Sequence, residues 1–159
     1  MNPTSSPPRI APPTIAPPTI APPTLAPASE HWITNLTDVV IVTAWRDETV
    51  EANPHSIPTT SDSALVWYLS AIGPLSLLVA HRFSHYASTG PSTWMVEDIA
   101  RTFGIGESVS RVRQPIDRLE KFGIIRRTGR TVAVRLWLPP LNERMRSRLP
   151  DYLAAVYDG

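Results

Sequence analysis

The chain has 159 residues, 42% of them hydrophobic, with a formal net charge of +1, enough for one modest domain with a core of its own plus appendages. It contains no cysteine, which excludes disulfides, cysteine-ligated zinc or iron-sulfur sites and a thiol nucleophile, and makes a reducing cytoplasm the expected compartment. The near-neutral sum hides a gradient: residues 1–93 hold three arginines against six acids, whereas residues 94–149 hold eleven arginines and one lysine against six acids, and a polyanion responds to the local surplus.

Ten of the 18 prolines fall within the first 27 residues, where IAPPT repeats three times and decays to LAP. Paired prolines favour an extended polyproline II chain of about 3.1 Å per residue without internal hydrogen bonds, so residues 1–30 read as a disordered Pro-rich tail. Successive prolines there lie one or four apart, so the PxxP spacing of proline-reading domains never occurs. No basic start leads into an apolar run, and no secretion signal is expected.

Residues 31–62 read as an extension made of a strand, Val39 to Ala44, and a loop, Asn53 to Ser63. Ser63 reads as the cap of a helix from Ala64 to Ile72, and Pro74 as the first residue of a helix reaching about Tyr86. The uncharged run Ala64 to Ala80 has 17 residues, at the lower edge of a bilayer span. Gly73-Pro74 interrupts it, so two buried helices and no membrane association are expected.

Val96, Ile99, Ala100 and Phe103 share one helix face that Gly104 stops. Val109, Val112, Ile116, Leu119 and Phe122 keep a three-and-four rhythm up to Gly123, with Pro115 expected to kink the first turns or delay the start. Ile124 to Arg127 and Thr131 to Leu138 read as strands around the turn Thr128-Gly129-Arg130, with Val132, Val134, Leu136 and Leu138 alternating inward. Short helices at about Asn142 to Leu149 and Pro150 to Tyr157 finish the chain.

Helix, short strand, helix, glycine turn, helix and hairpin is the order of a winged helix-turn-helix. The expected fold class is therefore mainly α with a small β component (α+β), the domain spanning residues 63–159 with a two-stranded wing. On a helical wheel Ser110, Gln114, Asp117, Arg118 and Lys121 face away from the apolar side, with Arg111 at the margin. Gln pairs with adenine, Arg with guanine and Ser with either, so Ser110, Arg111, Gln114, Arg118 and Lys121 are the candidate recognition-helix contacts. Arg126, Arg127 and Arg130 are the candidate phosphate contacts of the wing. Against this, Asp117 and Lys121 stand four apart in the favourable order, Glu120 can neutralise a neighbour, and Asp117 would repel phosphates unless it accepts from a cytosine amino group.

Other chemistries are thin. His81 and His85 lie four apart but lack a third ligand, so no metal site is expected. No Gly-rich phosphate loop, nucleophile elbow or paired-carboxylate motif occurs, and neither catalysis, a cofactor nor a small-molecule substrate is expected. The five tryptophans, spread along the chain, read as packing residues.

The pieces WYLSAIGP (67–74), DIARTFGIG (98–106), DRLEKFGIIRR (117–127), VAVRLWLPPL (132–141) and RLPDYLAAV (148–156) together resemble a family of small actinobacterial winged helix-turn-helix proteins of uncharacterised function. The resemblance covers about residues 36–157 and implies the winged-helix fold and DNA binding, with no catalytic residue or cofactor to carry over. Met95, where a capping Asp or Thr is expected, and Pro115 within the third helix depart from the pattern. The expected function is double-stranded DNA binding, sequence-specific or architectural, in transcriptional regulation at the nucleoid. A homodimer stays open, since a palindromic site would call for one. The alternative is a winged-helix protein-interaction adaptor that does not bind DNA, with Ala64 to Ala80 as the partner face.

Overall fold

The structure, a computed structural model, describes residues 32–158; the expected Pro-rich tail lies outside the described residues. In chain order these form β1 (Val39–Trp45), α1 (Glu48–Glu51), β2 (Ile57–Pro58), α2 (Asp62–Ile72), α3 (Pro74–Ala87), β3 (Ser92–Met95), α4 (Val96–Thr102), α5 (Val109–Lys121), β4 (Ile125–Thr128), β5 (Thr131–Arg135), β6 (Trp137–Leu138), α6 (Glu143–Arg146) and α7 (Asp151–Ala154). The architecture is mixed α/β: seven helices, one four-stranded sheet and one two-stranded sheet, with no closed barrel among the described residues.

The strand expected as an appendage sits in the middle of the sheet. The order is β3-β1-β5-β4, with β1 antiparallel to β3 and parallel to β5, so Val42 stands between Ser92 on one side and Val132 on the other. Strand alternation then sorts the faces. Val40, Val42, Ile125, Val132 and Val134 are buried on the face that packs against helices, beneath Leu77, Ala80 and Phe83 of α3 and Ile116 and Leu119 of α5. Ile41, Thr43, Trp45, Met95 and Arg126 lie on the other face, where Ile41 and Met95 are exposed.

Other differences from the expected elements have local causes. The last strand does not run unbroken to Leu138: the chain leaves β5 after Arg135, and Trp137 and Leu138 pair instead with β2, inside a stretch read as loop. The α2 cap is Ser61 rather than Ser63, its Oγ accepting from the Ala64 amide at 3.3 Å. The uncharged run folds as α2 and α3, which break at Gly73, and among the described residues no helix is long and apolar enough to cross a membrane. Gly129, with φ of +56°, is the first residue of the two-residue turn between paired Thr128 and Thr131, the place where a type II′ hairpin turn requires glycine.

Met95 does stand at the start of α4 without a side-chain cap. Its place is taken by main chain: the Val96 amide donates to the Asp38 carbonyl and the Glu97 amide to the Leu36 carbonyl, both at 2.9 Å. Two of the helix's orphan donors are thereby satisfied by the segment before β1. That segment is held in turn by the Asp38 carboxylate, which accepts from the Thr34 and Asn35 amides at 2.7 and 3.0 Å and from Arg130 at 3.1 Å.

Those amides, Thr34 first, and the Arg130 guanidinium beside it hold the Asp38 carboxyl below the usual aspartate range. Asp47 is lowered in the same sense, chiefly by the Arg135 guanidinium that donates to it at 2.7 Å. A carboxylate with a depressed folded-state pKa stabilises fully above its unfolded value, about pH 4, and the contribution disappears as pH falls through the folded value. Asp38→Asn is therefore expected to lower the thermal midpoint at pH 7 and to converge with the parent protein as the pH falls through the depressed folded-state value. A gap that is the same at every pH would show that the charge of Asp38 contributes nothing.

Candidate nucleic-acid interface

Helix α5 presents the faces its rhythm predicts. Val112, Pro115, Ile116 and Leu119 are buried, and Ser110, Arg111, Gln114, Arg118 and Lys121 are exposed. The helix begins at Val109 and continues through Pro115, so the expected delay in its start does not occur. Near its N-terminus the Ser110 hydroxyl lies 2.9 Å from that of Ser108, and Arg111 donates to the Ile105 carbonyl at 3.3 Å. Gln114, Arg118 and Lys121 continue the stripe toward the C-terminal half.

The three hairpin arginines do not join this stripe. Arg127 follows Ile125 by two residues and so shares its inward face; its side chain is only 17% exposed. It donates to Asp117 and to Glu120, both at 2.7 Å, and its guanidinium stands 4.7 Å from the centre of the Trp32 ring. Arg126 points from the opposite face of the sheet and stacks 4.2 Å from the Trp45 ring, which Arg135 also approaches at 3.7 Å. Arg130, at the turn, is spent on Asp38. The charge at the hairpin tip therefore fastens β4 to α5, the sheet to Trp45 and the turn to the segment before β1.

Asp117 is accounted for by the same network. Its Oδ1 accepts from Arg127 and, at 3.2 Å, from the Trp32 indole, while its Oδ2 faces Arg113 at 3.7 Å. The i,i+4 partner expected for it, Lys121, is not the one it takes. Glu120 does neutralise a neighbour, Arg127. Both acids of α5 thus accept from the hairpin's Arg127.

On the other flank of α5 a cation cluster assembles that the sequence reading did not single out. A cleft of about 690 Å³ is lined by Gln114, Pro115, Asp117, Arg118, Lys121 and Phe122 of α5 and its end, by Ile72 to Ser76 where α2 meets α3, and by Arg144 and Arg148 around α6. The Arg118, Arg144 and Arg148 guanidiniums stand 5.6, 5.9 and 5.4 Å from the centre of the Phe122 ring. Arg118 and Arg148 also donate to one carbonyl, Ala71 at the end of α2, at 3.4 and 3.0 Å. A helix C-terminus attracts cations, and an aromatic face accepts them, which explains the gathering. Among the described residues none of Arg118, Lys121, Arg144 and Arg148 makes an ion pair.

The structure thus brings Gln114, Arg118 and Lys121 together, leaves Ser110 and Arg111 at the other end of the same helix, and separates Arg126, Arg127 and Arg130 from all of them. The signal for Arg144 and Arg148 was the dense basic run ERMRSR, which carries no reading-helix periodicity. Compared with protein-family models, with curated proteins and with solved structures, the chain matches none of them.

Proposed function

We propose that the protein binds double-stranded DNA in the manner of a winged helix-turn-helix, with α4 and α5 as the helix pair and the exposed stripe of α5 as the element that enters the major groove. The order α3, β3, α4, α5, β4, β5 supports that reading. The observation that carries it is the group of four cations beside Gln114 that make no ion pair among the described residues. Phosphate anchoring is assigned to Arg118, Lys121, Arg144 and Arg148, base reading to Gln114 with Ser110 and Arg111, and a bracing role to the hairpin arginines. Control of transcription at the nucleoid is the use we infer for such binding.

Anisotropy of labelled duplex DNA titrated with the full chain tests the reading. Four phosphate contacts imply a log-log salt slope of about −3.6, so affinity should fall on the order of a hundredfold between 50 and 200 mM salt. Absence of binding at 50 mM, or binding indifferent to salt, would reject it.

One observation favours a second reading, a protein-interaction adaptor. Leu65, Val66 and Leu69 of α2 and Leu78 of α3 are exposed, more apolar surface than a helix pair needs for its own core. Contact through these side chains, with a partner or a second copy, would be indifferent to salt or tighten with it.

A further inference from the structure

The cleft beside α5 is roomier than a phosphate anchor requires. Its volume, about 690 Å³, falls within the roughly 300–1,000 Å³ typical of small-molecule sites. Its surface is divided in the way such sites are. Pro74, Leu75 and Phe122 provide an apolar part, and Arg118, Lys121, Arg144 and Arg148 provide the charge. Helix α3 opens onto the same space with its N-terminus, where Gly73 contributes no side-chain cap and Pro74 stands at the first turn. The positive end of a 14-residue helix is thus added to four side-chain cations.

Among the described residues no acid forms an ion pair with these four side chains. Among the described residues lining the cleft Asp117 is the one acid, and its oxygens accept from Arg127 and Trp32 and face Arg113. The Ala71 carbonyl and the Phe122 ring hold the guanidiniums in place without neutralising them. Cations held this close raise each other's energy, and a polyanion between them removes that cost while filling a cavity of its own size.

We propose that this cleft binds a phosphorylated small molecule of about nucleotide size, its phosphates between Arg118, Lys121, Arg144 and Arg148 and its organic part against Pro74, Leu75 and Phe122. Because Gln114, Arg118 and Lys121 line the cleft and also belong to the stripe assigned to DNA, the ligand and a duplex exclude one another; this clause rests on the DNA-binding reading, the ligand site itself does not. The ligand is then an effector that releases DNA by direct competition and without any change of shape.

The test is calorimetric titration of the full chain, without DNA, with ATP, inorganic pyrophosphate and adenosine at low salt. ATP should bind in the micromolar to millimolar range, pyrophosphate more weakly, and adenosine not at all. Arg144→Ala with Arg148→Ala should weaken ATP at least tenfold. Since Arg148 also caps α2, Gln114→Glu provides a second variant: it places a negative charge at the cleft without touching a structural bond, and should weaken ATP comparably. Failure of ATP to bind at millimolar concentration, or ATP binding unchanged in both variants, overturns the site whether or not DNA binds. ATP binding with no DNA binding leaves the site standing and rejects the DNA reading. Simultaneous binding of ATP and duplex overturns the competition.

Discussion

A chain that begins at Ser63 is expected not to fold, even though that boundary encloses every element of the helix, helix and hairpin order. Removing residues 1–62 takes β1 from the centre of the sheet and leaves β3 and β5 without the strand that joins them. Ile33, Val40 and Val42 are fully buried, and burial of such side chains is worth about 1.5–3 kcal/mol each. Three of them amount to roughly 5–9 kcal/mol, as much as the whole net stability of many small domains. The same truncation strips the Asp38 and Leu36 carbonyls from the start of α4, Asp38 from Arg130 and Trp32 from Arg127. Circular dichroism and a proton-nitrogen correlation spectrum of residues 63–159 provide the check. A dispersed, native-like spectrum would mean that β1 is dispensable and that the sheet is held by other contacts.

Loss of Arg144 and Arg148 together should have the largest effect on DNA binding. Removing two of four phosphate contacts reduces the salt slope by about 1.8 and weakens binding about thirtyfold near 0.15 M salt. Arg126→Ala, on the far face of the sheet, should leave the slope unchanged. Gln114→Ala should alter the preference among duplexes, by about 1–3 kcal/mol at the base it reads, and leave the slope alone. Thermal midpoints of each variant guard against a folding defect, because Arg148 bonds the Ala71 carbonyl. If Arg126→Ala costs as much as the Arg144 and Arg148 pair, the division between rim and brace is mistaken.

Much of the fold was legible because its signals are local. The start of α3 at Pro74, the stop of α4 near Gly104 and the inward row Val132 and Val134 follow from proline and glycine geometry and from period-two alternation. The position of β1 was not legible. Its run VVIVTAW announces a strand, but its neighbour β5 lies some ninety residues away, and pairing at that distance leaves no trace in either segment.

The site divides along the same line. The outward stripe of α5 is a property of one helix: the wheel faced Ser110, Gln114, Asp117, Arg118 and Lys121 outward with Arg111 at the margin, and all of these are exposed except Asp117, which is half-buried. That Arg127 turns inward was available from alternation with Ile125, and was obscured by reading three nearby arginines as one feature. What no periodicity could supply is which charges meet. Arg118 and Arg148 share a carbonyl from α2, and Arg127 reaches two acids on α5, only because separate elements converge in the folded chain.

The parallel pairing of β1 with β5 also sets the order of events as the chain is made. Val39 to Trp45 leaves the ribosome long before Thr131 to Arg135, and at about 5–20 residues per second it waits roughly 5–20 s for the strand beside it. During that interval a seven-residue β run without charge, apolar except for Thr43, has no finished sheet to enter and is exposed to aggregation. Contacts so distant in sequence make the closing step of folding slow. Association of nascent chains with one another, or with a chaperone, should therefore be concentrated on that one stretch.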